Sequence, residues 1–164
     1  MTDENAVTDV THATHPVRAM RWWDIDPVLV LEQDLFADDA WTPGLFWSEL
    51  AQHDSRVYQV VGDAAHAQRL VGYAGLASFG PEAYVQTIGV ARAHWGEGIG
   101  SVLLGSLLAE AERRGAKSIV LEVRAENDRA QRLYERFGFN TVGVRKNYYQ
   151  PSGADARVMI RESR

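Results

Sequence analysis

The sequence predicts a mixed α/β domain (α+β mixed sheet) whose central, mostly antiparallel sheet is flanked by helices. Three observations carry this reading. Apolar runs follow the order strand, two helices, three strands, helix, strand, helix, two strands, which suits one layered α/β unit. The three middle strands are joined by short Gly-, Asp- and Pro-containing turns, as in an antiparallel meander. A glycine run, Gly96, Gly98 and Gly100, lies between the last of those strands and an amphipathic helix.

The elements follow from local pattern. Residues 1–16 have no hydrophobic periodicity and read as a disordered tail, with a single domain over 17–164. Residues 17–20 form a short strand. Over 23–36, Ile25, Val28, Leu29, Leu31, Leu35 and Phe36 recur at helical spacing. Thr42 and Pro43 then read as the N-cap and first position of a helix to about Gln52, with Phe46, Trp47 and Leu50 on its buried side. Residues 56–61, 70–77 and 83–90 are strands rich in Val, Tyr and Ile. Beyond the glycines, Ile99, Leu103, Leu107 and Ala111 share one face of a helix that runs to Arg114 and ends at Gly115. Residues 118–123 form a buried strand and 128–137 a helix stopped by Gly138. The last two strands cover 139–144 and 157–160.

Composition bounds the function. The chain has 164 residues, 46% of them hydrophobic and 24% charged, which fits one folded domain and excludes bulk disorder. No apolar stretch approaches the roughly 20 residues of a membrane span, and the first 15 residues lack the basic start and apolar core of an export signal. With no cysteine, the expected location is cytoplasmic, and no thiolate nucleophile or cysteinyl acyl-enzyme is available. The net charge of -5 disfavours a nucleic-acid partner. His12, His15, His53, His66 and His94 have no metal-ligand spacing, so no metal is expected and surface roles are the plain reading.

The glycine run is the strongest chemical signal. Backbone amides free of side chains at a helix start attract a phosphate or pyrophosphate, although glycines also serve plain tight turns. A dinucleotide site is the rival reading, with Glu122 as the acidic residue about 20 positions on. The third glycine of that fingerprint is replaced by Ser101, and only 42 residues follow Glu122, too few for a doubly wound sheet. A P-loop lacks its Gly-Lys-Ser or Gly-Lys-Thr. A serine hydrolase elbow at Ser101 lacks its first glycine, because Ile99 stands there.

The segment Thr87-Ile-Gly-Val-Ala-Arg-Ala-His-Trp-Gly-Glu-Gly-Ile-Gly-Ser-Val-Leu-Leu resembles the acetyl-CoA binding motif of the GNAT acetyltransferases. Leu121-Glu-Val-Arg-Ala-Glu-Asn, Leu133-Tyr-Glu-Arg-Phe-Gly-Phe and Arg145-Lys-Asn-Tyr-Tyr are similar to the RimI-type, ribosomal-protein-alanine branch of that family. One departure is Trp95, which stands where the family usually has Gln or Arg. The resemblance implies acetyl transfer from acetyl-CoA, as co-substrate, to the α-amino group of a protein N-terminus, that of a ribosomal protein in this branch. It implies a sheet whose strands splay beside the glycine turn. It places the backbone of Ile88 and Val90 on the pantetheine amides and Gly96, Gly98, Gly100 and Ser101 on the pyrophosphate. Asn127 falls on the pantetheine arm, Glu122 at the base position, Tyr134 at the acid position, and Tyr148 and Tyr149 where the acceptor N-terminus binds.

The chemistry suits these residue types. An α-amine with a pKa of about 7.7 to 8.0 is mostly ammonium at neutral pH and needs a base. Leu121 and Val123 should face the core, which turns Glu122 to the other side of its strand. A phenol such as Tyr134 can protonate the departing thiolate. Plainer roles remain open for each: an ion pair of Glu122 with Arg124, core packing for Tyr134, and a loop anchor for Tyr148 and Tyr149. Asp38, Asp39 and Trp41 could read a peptide, with a solvated loop as the plainer alternative. Also open are a non-catalytic CoA- or dinucleotide-binding sensor and an enzyme acting on lysine or a small amine.

Overall fold

The computed structural model describes residues 15–163. All but His15 and Pro16 of the expected tail lie outside them. The strands are β1 (Val17–Ala19), β2 (Arg56–Gly62), β3 (Leu70–Phe79), β4 (Glu82–Val90), β5 (Ser118–Arg124), β6 (Asn140–Arg145) and β7 (Ala156–Glu162). The helices are α1 (Ile25–Phe36), entered through a 3-10 turn at Trp22–Asp24, α2 (Pro43–Ala51), α3 (Ile99–Arg113) and α4 (Asp128–Arg136). This is the expected order. None of these helices is long and apolar enough to cross a membrane.

The seven strands form one sheet in the order β1-β2-β3-β4-β5-β7-β6. Every neighbouring pair is antiparallel except β4 and β5, which run parallel. That pair joins only from Glu82↔Ser118 to Val85↔Leu121. Beyond it β4 stays with β3, as far as Gly72↔Val90, while β5 stays with β7, as far as Arg124↔Ala156. The two parallel strands therefore part in mid-sheet.

Each face carries its own core. On one side Leu103, Leu104 and Leu107 of α3 pack with Ile119, Leu121, Val123 and Met159. On the other, Val28 of α1 and Phe46 of α2 pack on Tyr58, Val60 and Tyr73. The alternation along β5 buries Leu121 and Val123 and leaves Glu122 and Arg124 on the opposite face. Local signals hold at the helix ends: Thr42 Oγ1 accepts from Leu45 N at 3.2 Å with Pro43 following, and Gly115 takes a left-handed φ of 86°. One expectation fails. Trp47 is 50% exposed and stacks on Trp22 with centroids 6.2 Å apart. The buried stripe of α2 is Phe46, Glu49 and Leu50, and Trp47 lies about 100° round the helix from Phe46. Glu49 takes the inner position because Arg56 and Tyr58 donate to it at 2.7 and 2.8 Å.

Candidate active site

Where β4 and β5 part, a cleft of about 800 Å³ opens, lined by 86–90, 121–124, the glycine turn, one side of α4 and part of the α1–α2 loop. Ala91 N donates to Val71 O of β3 at 2.8 Å, so antiparallel alternation turns the amides of Val90 and Ile88 away from β3 and into the gap. Of these groups Val90 O is already engaged, accepting from Trp95 Nε1 at 2.8 Å. The residue that departs from the family pattern thus braces the strand end, and the Val90 N–H and the Ile88 amide keep their capacity.

The glycine turn enters α3 through two left-handed residues, Gly96 (φ 85°) and Gly98 (φ 82°), a conformation that side-chain-bearing residues rarely adopt. Gly98 is the N-cap of α3 and no side chain caps the helix, so its first N–H groups remain as donors. Gly96, Gly98, Gly100 and Ser101 all line the cleft. Glu97 lies within this turn, and His94 Nδ1 holds its carboxylate at 2.8 Å. His94 itself lines the cleft, a structural use that the sequence reading did not foresee.

On the walls, Glu122 lines the cleft and accepts from Arg145 Nη1 at 3.0 Å. Arg124, the partner of the plainer ion-pair alternative, is drawn elsewhere: it pairs with Asp39 and Glu126 and lies over the Tyr149 ring, 4.9 Å from its centroid. Tyr134 is buried on α4, edge-on to Phe139. Burial, and then the neighbouring Tyr149, hold its phenol well above the ordinary range, so it stays protonated. Tyr149 lines the cleft, and its phenol is pushed up to about 12 by burial, with Tyr148 and Glu122 adding to the shift. Tyr148 packs edge-on against Tyr149 and lies beneath Arg145. Asn127 lines the cleft while capping α4, its Oδ1 accepting from Ala130 N at 3.1 Å.

Two further side chains, Glu32 and Arg145, have no role in the sequence analysis, and Asp39 departs from its plainer reading. Asp39 is not a solvated loop residue: its side chain is 4% exposed and ion-pairs with Arg124. It also accepts from Ser152 Oγ at 2.7 Å and Ser152 N at 3.2 Å, tying the α1–α2 loop to the β6–β7 hairpin beside the cleft. Asp38 is exposed, as expected. Glu32 is buried, accepting from Trp41 N at 2.9 Å and Tyr73 Oη at 2.8 Å. Its signal was available, since it interrupts the apolar stripe of Ile25 and Val28 on α1. Arg145 had only its place in the family-like run 145–149. Among the described residues no group of three or more His, Asp or Glu side chains is arranged to hold a metal.

Parallel strands that part beside a helix opening in a glycine turn, with a carboxylate and a protonated phenol on the cleft, are the arrangement that the resemblance to an acetyltransferase implies. The sequence profile of the acetyltransferase (GNAT) family matches residues 13–139, and the chain belongs to that family. It is 44% identical over 161 residues to the N-alpha-acetyltransferase RimI of Mycobacterium tuberculosis, covering 94% of this chain and 98% of that one. Among solved structures, the ribosomal-protein-S18-alanine N-acetyltransferase of Escherichia coli superposes with a TM-score of 0.79 at 29% identity, over 90% and 93% of the two chains. Ard1 of Thermoplasma volcanium superposes with a TM-score of 0.81 at 25% identity, over 92% and 99%.

Proposed function

We propose that this chain transfers acetyl from acetyl-CoA to the α-amino group of a protein N-terminus, and that the acceptor is the N-terminal alanine of ribosomal protein S18. The observation that carries the reading is the pairing of an anchored carboxylate, Glu122, with a protonated phenol, Tyr134, on one cleft that also holds the helix-start amides of the glycine turn. The kinship with an N-alpha-acetyltransferase and the likeness to an S18-alanine enzyme support the acceptor. A ribosomal acceptor puts the reaction in the cytoplasm.

In this reading the amides of Ile88 and Val90 align the pantetheine and the turn from Gly96 to Ser101 holds the pyrophosphate, with Asn127 beside the pantetheine arm. Glu122 takes a proton from the acceptor ammonium. The freed amine attacks the thioester carbon, a C–N bond forms, the C–S bond breaks, and Tyr134 gives its hydroxyl proton to the leaving sulfur; the attacking nitrogen loses its second proton as the amide forms, which restores the tyrosine hydroxyl, and Glu122 releases its proton to solvent. Tyr148 and Tyr149, with Asp39 across the loop contact, flank the entering chain. Arg145 is a positioning residue that aims the Glu122 carboxylate.

The test is intact mass and fragmentation of peptides incubated with enzyme and acetyl-CoA. One peptide carries the S18 N-terminus with an internal lysine, and a second has its α-amine blocked. Acetyl on the α-amine of the first peptide alone is the expected result. Acetyl on lysine in both, or on neither, would overturn the reading.

A further inference from the structure

Helix α4 carries Arg129, Arg132 and Arg136 at i, i+3 and i+7, a single stripe of its surface, and all three line the cleft. The other arginines of the cleft have carboxylate partners: Arg92 with Asp34 at 3.2 Å, Arg124 with Asp39 and Glu126. Among the described residues, no carboxylate lies within 4.0 Å of the three α4 guanidinium groups. Arg129 instead lies over the Trp95 ring, 3.9 Å from its centroid. A chain of net charge -5 therefore keeps, along one wall of its cleft, three cations with no carboxylate partner among the described residues, which is the electrostatic footprint of an anion.

The stripe lies beside the glycine turn. Leu133, between its members, faces the start of α3 so closely that a Cβ on Gly100 would come within 3.2 Å of Leu133 Cδ2. Two anion sites are therefore adjacent and differ in chemistry. The turn offers backbone amides, which suit a diphosphate held close to the main chain. The stripe offers guanidinium groups on long side chains, which suit a terminal phosphate monoester carrying nearly two charges and accepting paired hydrogen bonds. A donor built from a nucleotide diphosphate with one more phosphate on its ribose presents this combination.

We infer that Arg129, Arg132 and Arg136 form a second phosphate subsite that reads the ribose 3′-phosphate of the acyl-CoA donor and sets the preference for that donor over one lacking the phosphate. The inference rests on the proposed acetyl-CoA reading. An acidic acceptor is the wrong occupant, because Asp39 and the β6–β7 hairpin meet on the other face of the sheet from the core that α3 and α4 cover.

The test compares acetyl-CoA with acetyl-3′-dephospho-CoA at one fixed acceptor peptide, for the wild type and the double variant Arg132→Gln/Arg136→Gln. Arg129 is left in place because it also packs on Trp95, and the two substituted residues are exposed. The wild type should favour acetyl-CoA by about 10- to 100-fold in kcat/KM, the scale of one or two charge-assisted hydrogen bonds. The variant should lose most of that preference through the donor KM, and the two enzymes should converge on the dephospho donor. Equal use of both donors by the wild type, an equal loss on both in the variant, or a change confined to the acceptor KM would each overturn the subsite. Calorimetry with 3′-phospho-ADP and ADP separates this inference from the reading beneath it. Preferential binding of 3′-phospho-ADP without acetyl transfer keeps the subsite and overturns the acetyltransferase reading, whereas transfer without donor preference does the reverse.

Discussion

Arg145 Nη1 donates to Glu122 Oε1 across 3.0 Å, joining the edge strand β6 to β5 over the strand between them. The register makes this reach possible, since Glu122 stands opposite Val158 and Arg145 opposite Ala156, both on β7. A carboxylate aimed in this way suits a base that must meet an ammonium in one orientation. Glu122→Gln should lower kcat by roughly 100-fold or more at neutral pH, the usual scale of a general base, with little change in acetyl-CoA binding. The deficit should shrink above about pH 8, where the acceptor amine is already free. A variant of near-normal rate at pH 7 would move the proton transfer to another group.

The companion residue gives a second test. Tyr134→Phe keeps the ring that packs on Phe139 and removes only the hydroxyl. If that hydroxyl protonates the thiolate, kcat should fall by about 100-fold while Tm barely moves. Burial holds Tyr134 above the ordinary phenol range and Tyr149 is pushed up to about 12. Both stay protonated through the ordinary phenol value of 10.0, so the wild-type rate should show no tyrosine limb up to that pH. A downward limb between about pH 8 and 10 that vanishes in the Phe variant would contradict the burial argument.

The positions of these two residues on their elements are legible in the sequence because those signals are local, whereas the roles of base and acid come only from the resemblance to the family. Glu122 alternates with Leu121 and Val123 along one strand, and Tyr134 follows the Asn127 cap by a fixed helical interval. The element order and the glycine turn were legible for the same reason, since periodicity and turn chemistry act over a few residues. Contacts set by the closing of the sheet were not. Arg145 reaches Glu122 only through the registers of β5, β7 and β6, and Asp39 meets Ser152 across 113 positions. Trp47 fell to the same limit, because on a helix of nine residues apolar character alone does not fix which neighbour faces inward. Glu32 lies between the two cases: its place on an apolar stripe was visible, its partners Trp41 and Tyr73 were not.

Glu32 supports a prediction about stability. Burial raises its pKa, and the hydrogen bonds from Trp41 and Tyr73 offset the rise only in part. Below its unfolded pKa both states hold the proton. As pH climbs from that value to the folded pKa, the unfolded chain ionises first, so this residue's contribution to stability declines with rising pH. Glu32→Gln should therefore flatten the pH dependence of unfolding free energy above about pH 4.5, and the variant should gain on the wild type as pH rises. The hydrogen bond lost with the second carboxylate oxygen is a constant offset, so the slope is diagnostic. Parallel denaturation curves for the two proteins across that range would assign Glu32 an unshifted pKa.

The last prediction concerns the loop contact that Asp39 makes with Arg124 and Ser152. Ser152→Ala removes the hydroxyl bond to Asp39 and the longer one that the hydroxyl accepts from Ala154 N at 3.2 Å, both exposed, and should cost about 1 kcal/mol in stability. Asp39→Asn keeps the shape of the side chain but leaves the half-buried Arg124 with only the exposed Glu126, at 3.3 Å, as a charge partner, the more disruptive change. Because this contact sets the spacing between the α1–α2 loop and the β6–β7 hairpin, both variants should raise the KM for the acceptor peptide. Asp39→Asn should do so by about tenfold or more and Ser152→Ala by less, an order that follows from the strength of the bonds removed. The donor KM should hold, since the glycine turn and the Ile88–Val90 edge are untouched. An unchanged acceptor KM in both variants, or a rise in the donor KM alone, would show that the contact braces the fold and does not shape the acceptor entrance.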